Sequence, residues 1–278
     1  MTDAHDVPLP DGRSVRVHDS AAGDPEAPVV IWHHGSPQTG APLEPIVEAA
    51  RRRGLRHLSY ARPSYGGSTP QPGRAVAGAA ADVAAIADAL GVARLFVMGA
   101  SGGGPHALAC AAALGPERVE GVVTLASPAP YTEDFDWFAG MRAPGGLRAA
   151  RDGRPARAAF AQTEAFDEES FTARDWAALE ATWTSLARDA TAAGTAGSDG
   201  LIDDDVAFAK PWGVDLAAVA SPVLVVQGGQ DRVIPPAHGH RLVALMPDAA
   251  QLWLRPRDGH VSVLDAIPVA LDWLLSLR

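Results

Sequence analysis

The 278 residues include one cysteine and one lysine, and no segment carries a long uninterrupted apolar run. The lone Cys110 excludes an internal disulfide and is read as a small buried side chain in an Ala-rich helix. Basic charge is also scarce: 23 Lys and Arg stand against 33 Asp and Glu, a formal net charge of −10. That balance excludes nucleic acid as a partner, whose affinity rests on neutralising phosphates, and disfavours an anionic membrane surface. Residues 1–19 hold no apolar stretch, so neither a secretion signal nor a transmembrane segment is expected and the location is expected to be cytoplasmic. Neither G-x-G-x-x-G after the first strand nor G-x-x-x-x-G-K-[ST] occurs, so no nucleotide cofactor is expected. His238 and His240 flank Gly239 without a third ligand at metal spacing, so no metal is expected.

What the chain does have is apolar content, 47% of its residues, and 28 glycines. Residues 13–18 alternate polar and apolar and predict an early antiparallel strand. Strands and helices then alternate: strand 28–32, helix 41–53, strand 55–60, helix 75–90, strand 94–98, helix 104–114 and strand 119–125. Such alternation implies a parallel sheet, and continuous apolar runs such as Val29–Trp32 fit strands covered on both faces. Residues 131–212 lack β-rich runs yet hold four of the seven Trp and six of the seven Phe. Their pattern predicts helices near 136–143, 154–166, 172–192 and 203–210, with Asp203-Asp204-Asp205 capping the last. The strand pattern resumes at 222 and again at 250–254, and an amphipathic helix over 266–277 closes the chain.

Three segments carry chemistry. Gly99-Ala100-Ser101-Gly102-Gly103 follows a short strand and opens a small-residue helix, the strand–turn–helix setting that exposes a nucleophilic serine. The backbone N–H of Gly102 then lies at a helix N-terminus, where negative charge is favoured. A serine hydroxyl needs a base, and the base needs an orienting acid. Asp231 follows the strand pattern at 222–226, and His260 sits in the loop Asp258-Gly259-His260 after the next strand.

These pieces, with His34-Gly35-Ser36-Pro37 after the third strand and Arg62-Pro63-Ser64-Tyr65-Gly66-Gly67-Ser68 after the fourth, resemble an α/β-hydrolase-fold serine hydrolase of the carboxylesterase-like kind. The resemblance spans nearly the whole chain apart from the central insertion. It implies an α/β fold: a mostly parallel, eight-stranded twisted sheet flanked by helices, with a helical cap inserted after strand 6. The domain expectation is a core of residues 1–130 and 213–278 with a cap over 131–212.

The resemblance also implies roles. Ser101 is the nucleophile, His260 the general base and Asp231 the acid; the carboxylates after the sixth strand, Glu133 and Asp134, lie too far along the chain to be first choices. The backbone N–H groups of Gly102 and Ser36 form the oxyanion hole. His34 supports that loop, His33 packs at a strand end and His106 is a satisfied helix histidine. Tyr65, Trp137, Phe138, Trp183, Trp212 and Val261 are candidates for the substrate pocket, and the aromatic ones serve equally as the cap's own core. The family often places Asp before Arg62; Ala61 stands here, so that Asp's ion pair is missing. Serine at the elbow, where epoxide hydrolases and haloalkane dehalogenases of this fold carry Asp, argues against those activities. The expected function is cleavage of an ester-type acyl bond in a small apolar substrate by a monomer or small homo-oligomer. The alternative is a non-hydrolytic ligand-binding receptor, or an acyl-transfer or synthase member of the same fold.

Overall fold

Val29–His33, buried at every position, is the middle of the sheet and the clearest product of an unbroken apolar run. In the computed structural model, which describes residues 3–20 and 26–278, it is β3 of eight strands. The others are β1 (Asp3–Pro8), β2 (Ser14–Asp19), β4 (Arg56–Tyr60), β5 (Leu95–Ala100), β6 (Val119–Leu125), β7 (Val223–Gly228) and β8 (Ala250–Arg255). Their spatial order is β1-β2-β4-β3-β5-β6-β7-β8. β2 runs antiparallel to its neighbours β1 and β4, and the remaining strand pairs are parallel. β1 was not foreseen from the residues; Asp3-Ala4-His5-Asp6 offers almost nothing apolar, and the strand is an exposed edge held by pairing to β2.

Because side chains alternate along a strand, each strand feeds two cores. Ile31, Val97, Val122 and Val225 face one side, under α2 (Gly78–Ala89) and α3 (Gly103–Leu114). Trp32, Phe96, Val123 and Val226 face the other, under α1 (Glu44–Arg51) and α10 (Ile267–Leu275). Helix α9 (Pro236–Leu245) joins β7 to β8.

Between β6 and β7 the chain forms five α-helices: α4 (Gly145–Arg151), α5 (Arg154–Ala161), α6 (Ala173–Glu180), α7 (Thr184–Ala196) and α8 (Asp199–Phe208). Three expectations need correction here. Residues 136–143 are turns rather than a helix, with Gly140 at φ 81°. The helix expected at 172–192 is two: Ala181 leaves helical geometry and Trp183 is drawn off by its indole N–H, which donates to Asp265 Oδ1 at 2.9 Å. Asp203-Asp204-Asp205 does not cap a helix at 206 but lies inside α8, with all three residues buried. Among the described residues, no helix is long and apolar enough to cross a membrane.

Candidate active site

Parallel strands end on one edge, so the loops after β3, β5, β7 and β8 meet there. β5 ends at Ala100, and Ser101 turns the chain with φ 50°, a left-handed conformation unusual for a serine. Two glycines permit the turn. A methyl at Gly99 would lie 2.4 Å from Gly103 O, and one at Gly103 would lie 2.0 Å from His33 O. α3 therefore starts against the ends of β3 and β5 and directs its N-terminal N–H groups toward Ser101.

The loops after β7 and β8 are stitched together by Gly229 N–H to Arg255 O and Gln230 N–H to Asp258 O, each 2.9 Å. This brings His260 to Asp231. His260 Nδ1–H donates to Asp231 Oδ2 at 2.8 Å, and His260 Nε2 accepts from the Ser101 hydroxyl at 3.1 Å. The other Asp231 oxygen accepts from the N–H groups of Val233 (2.8 Å) and Ile234 (2.9 Å), which holds the carboxylate in place. Burial works against an imidazolium at His260; the charge and hydrogen bond of Asp231 outweigh it and raise the pKa above the ordinary histidine value. Asp258, on the same loop, is not a second partner: it is buried between Arg255 and Arg174, the latter at 3.0 Å.

Ser36 and Gly102 meet beside Ser101. A methyl at Gly102 would lie 2.3 Å from Ser36 Oγ and 3.0 Å from Phe208 Cζ. The Ser36 loop is held from behind. Arg62 donates to His34 O and, at 3.0 Å, to Ser36 Oγ, while its own N–H donates to His34 Nε2 at 3.2 Å. The ion pair that Ala61 leaves unmade is supplied from the insertion instead. Asp204 of α8 binds Arg62 and Arg74 at 2.6 Å each and accepts from Ser36 Oγ (2.5 Å) and Tyr65 Oη (2.9 Å). Burial would raise its pKa, but the two guanidinium groups hold it well below the usual carboxylate range. Asp203 and Asp205 flank it on Arg154 and Arg157, at 2.8 and 2.6 Å. Such a triplet in mid-helix looks like a cap in sequence because its arginine partners lie far away along the chain.

The proposed pocket residues are placed as follows. The Tyr65 hydroxyl is committed to Asp204. Trp137, Phe138 and Trp212 are buried in the core under α2 and α3; Trp137 donates to Ala129 O at 2.6 Å and Trp212 to Phe208 O at 3.4 Å. Trp183 and Val261 pack in the opposite core. Two aromatics that sequence reasoning passed over stand at the site: Phe208 against Gly102, and Phe171, whose ring lies parallel to His260 with centroids 6.4 Å apart. Nothing local marks either one. His34 and His106 are buried, and burial, with the nearby Arg62 charge, keeps both rings neutral; the His106 pKa is pushed down to about 3. His106 bonds Gly102 O at 2.8 Å. His238 spends both ring nitrogens on backbone, accepting from Ala129 N–H (3.1 Å) and donating to Trp137 O (2.9 Å).

Solved structures share this architecture. A thermophilic esterase from Thermogutta terrifontis aligns at TM-score 0.73 and 20% identity, covering 99% of each chain. A hydrolase from Pseudomonas aeruginosa aligns at 0.74 and 23%, covering 99% of this chain and 98% of its own. The enol-lactonase from Burkholderia xenovorans aligns at 0.70 and 21%, covering 98% and 100%. At these identities the likeness is one of fold. No curated protein sequence matches the chain. The sequence does match the family described as alpha/beta hydrolase fold over residues 28–267. With the sheet order, the serine on its strand-to-helix turn and that match in hand, the chain belongs to the α/β-hydrolase-fold family.

Proposed function

We propose that the protein is a serine hydrolase that cleaves an ester-type acyl bond of a small apolar substrate through an acyl-enzyme. The observation that carries this reading is the continuous hydrogen-bonded chain from Ser101 through His260 to Asp231. Ser101 Oγ attacks the acyl carbonyl while His260 Nε2 takes its proton. Asp231 holds the Nδ1–H tautomer and stabilises the imidazolium that forms. The N–H groups of Ser36 and Gly102 receive the oxyanion, with the N-terminus of α3 behind Gly102. His260 then returns the proton to the leaving alcohol, and water repeats the sequence to release the acid. Phe208 and Phe171 beside the reacting groups support an apolar substrate. A cytoplasmic location and a small-molecule acyl substrate complete the proposal.

A fluorophosphonate probe tests it without knowledge of the substrate. We expect one adduct on Ser101 by peptide mass spectrometry, absent in Ser101→Ala and His260→Ala. Full esterase activity in Ser101→Ala, or an adduct that survives it, sinks the assignment.

A further inference from the structure

We propose that Asp175, on the helical insertion, is a positioning residue for His260, and that its carboxylate sets the loop from which the base works. The inference rests on the role proposed for His260 and adds a residue to it.

Asp175 sits at the third position of α6, where an acid ordinarily completes a capping box by reaching back to the N-cap. One oxygen does this: Oδ2 accepts from Thr172 N–H and Thr172 Oγ1, both at 2.8 Å. The other is surplus to any capping need. Oδ1 accepts from Val261 N–H (2.9 Å), Ser262 N–H (2.8 Å) and Ser262 Oγ (2.8 Å), the two residues directly after His260. Ser262 Oγ in turn accepts from Gly259 N–H at 2.8 Å. The carboxylate thus holds the backbone on both sides of His260.

Two further observations point the same way. A methyl at Gly259 would lie 2.0 Å from Asp175 Oδ2, so the glycine of Asp258-Gly259-His260 is where the loop admits the carboxylate. No cation balances Asp175 among these contacts; it is fully buried and held by five donors. Burial pushes its carboxyl toward the neutral form and the bonds from Ser262 and Thr172 outweigh it, so it stays ionised. A buried charge held by dipoles next to a base that must become cationic does more than pin a helix end. It fixes the imidazole direction and adds negative potential where the imidazolium forms. The other groups around His260 are Asp231, the Phe171 ring, and Asp258 neutralised by Arg174 and Arg255.

The test uses the full-length protein with Asp175→Asn and Ser262→Ala, a short p-nitrophenyl ester, and an NMR titration of the His260 ring. Asn keeps the shape but turns an N–H₂ donor toward donors on one side. The expected result for Asp175→Asn is a folded protein whose kcat falls about 10- to 100-fold at nearly unchanged KM. Its His260 titration moves to lower pH, because a negative charge facing the imidazolium is gone. Ser262→Ala lowers kcat less and leaves the titration in place; should Asp175→Asn not fold, that variant's kcat loss at constant KM carries the test. A folded Asp175→Asn with wild-type kcat and wild-type titration overturns the proposal, as does a loss confined to melting temperature. If wild type shows neither turnover nor a fluorophosphonate adduct, the hydrolase reading fails. The His260 titration with and without Asp175 still decides the placement.

Discussion

Removing the Asp204 carboxylate tests how the insertion is joined to the Ser36 loop. Asp204 and Arg62 are fully buried and Arg74 is nearly so, and all three charges depend on one another. Asp204→Ala would leave Arg62 in the interior without its counter-ion and Arg74 with Asp203 alone, at 3.3 Å. Breaking one buried pair costs about 3–5 kcal/mol, because the remaining charge is stranded. Ser36 Oγ and Tyr65 Oη lose their acceptor as well, at about 1–3 kcal/mol each when unrelieved. These terms overlap, so about 5 kcal/mol is expected rather than their sum. That is a large share of the 5–15 kcal/mol typical of a folded domain. Urea unfolding followed by circular dichroism measures it. The melting temperature should fall by roughly 10 °C, given about 2 °C per kcal/mol at this chain length. The combined change Asp204→Leu, Arg62→Met, Arg74→Met should recover most of the loss, since it removes the desolvation cost with the pair. A loss below about 1 kcal/mol for Asp204→Ala would refute the reasoning, by showing that water reaches the cluster and screens it.

Three further outcomes follow from the same geometry. Ser101→Gly should raise the melting temperature by a degree or more while abolishing turnover, since glycine relieves a positive φ costing about 1 kcal/mol; Ser101→Ala keeps that φ, and equal melting of the two variants would contradict the strain. The acid limb of kcat/KM should fall through an apparent pKa above 6.5, because His260 must be neutral to accept the serine proton and Asp231 raises its pKa; a limb below 6.5 would deny that pairing. Stability should drop between pH 6.5 and 4: burial lowers the pKa of His57 and His238 to about 4 and of His106 to about 3, whereas the unfolded chain takes up those protons near 6.5. Stability is therefore whole above pH 6.5 and is lost as pH falls. Each ring contributes about 2 kcal/mol of loss at pH 5, and identical urea midpoints at pH 7.5 and 5 would show that the rings protonate in place.

Local chemistry accounts for what could be read from the residues alone. Glycines around Ser101 are demanded by contacts of 2.0–2.4 Å within a few residues or with the adjoining strand. The apolar-rich strands β3, β5, β6 and β7 record burial on both faces, and their alternation with helices implies parallel pairing. Ser101 and Asp231 each follow such a strand and His260 follows the next parallel strand, β8, so the sequence places all three at one edge of the sheet. β1 was not, because its order comes from pairing rather than from its own side chains. Nor were the insertion's helix breaks or the duties of its acids. Asp175 and Asp204 look like ordinary helix carboxylates in sequence, and their partners Val261 and Arg62 lie 86 and 142 residues away. A hydrogen bond to a distant backbone leaves no periodicity, no spacing and no composition to detect. Folding alone brings the insertion's acids to the His260 loop and the Ser36 loop, because burial of the helices against the strand edge forces each carboxylate to find donors where it lands.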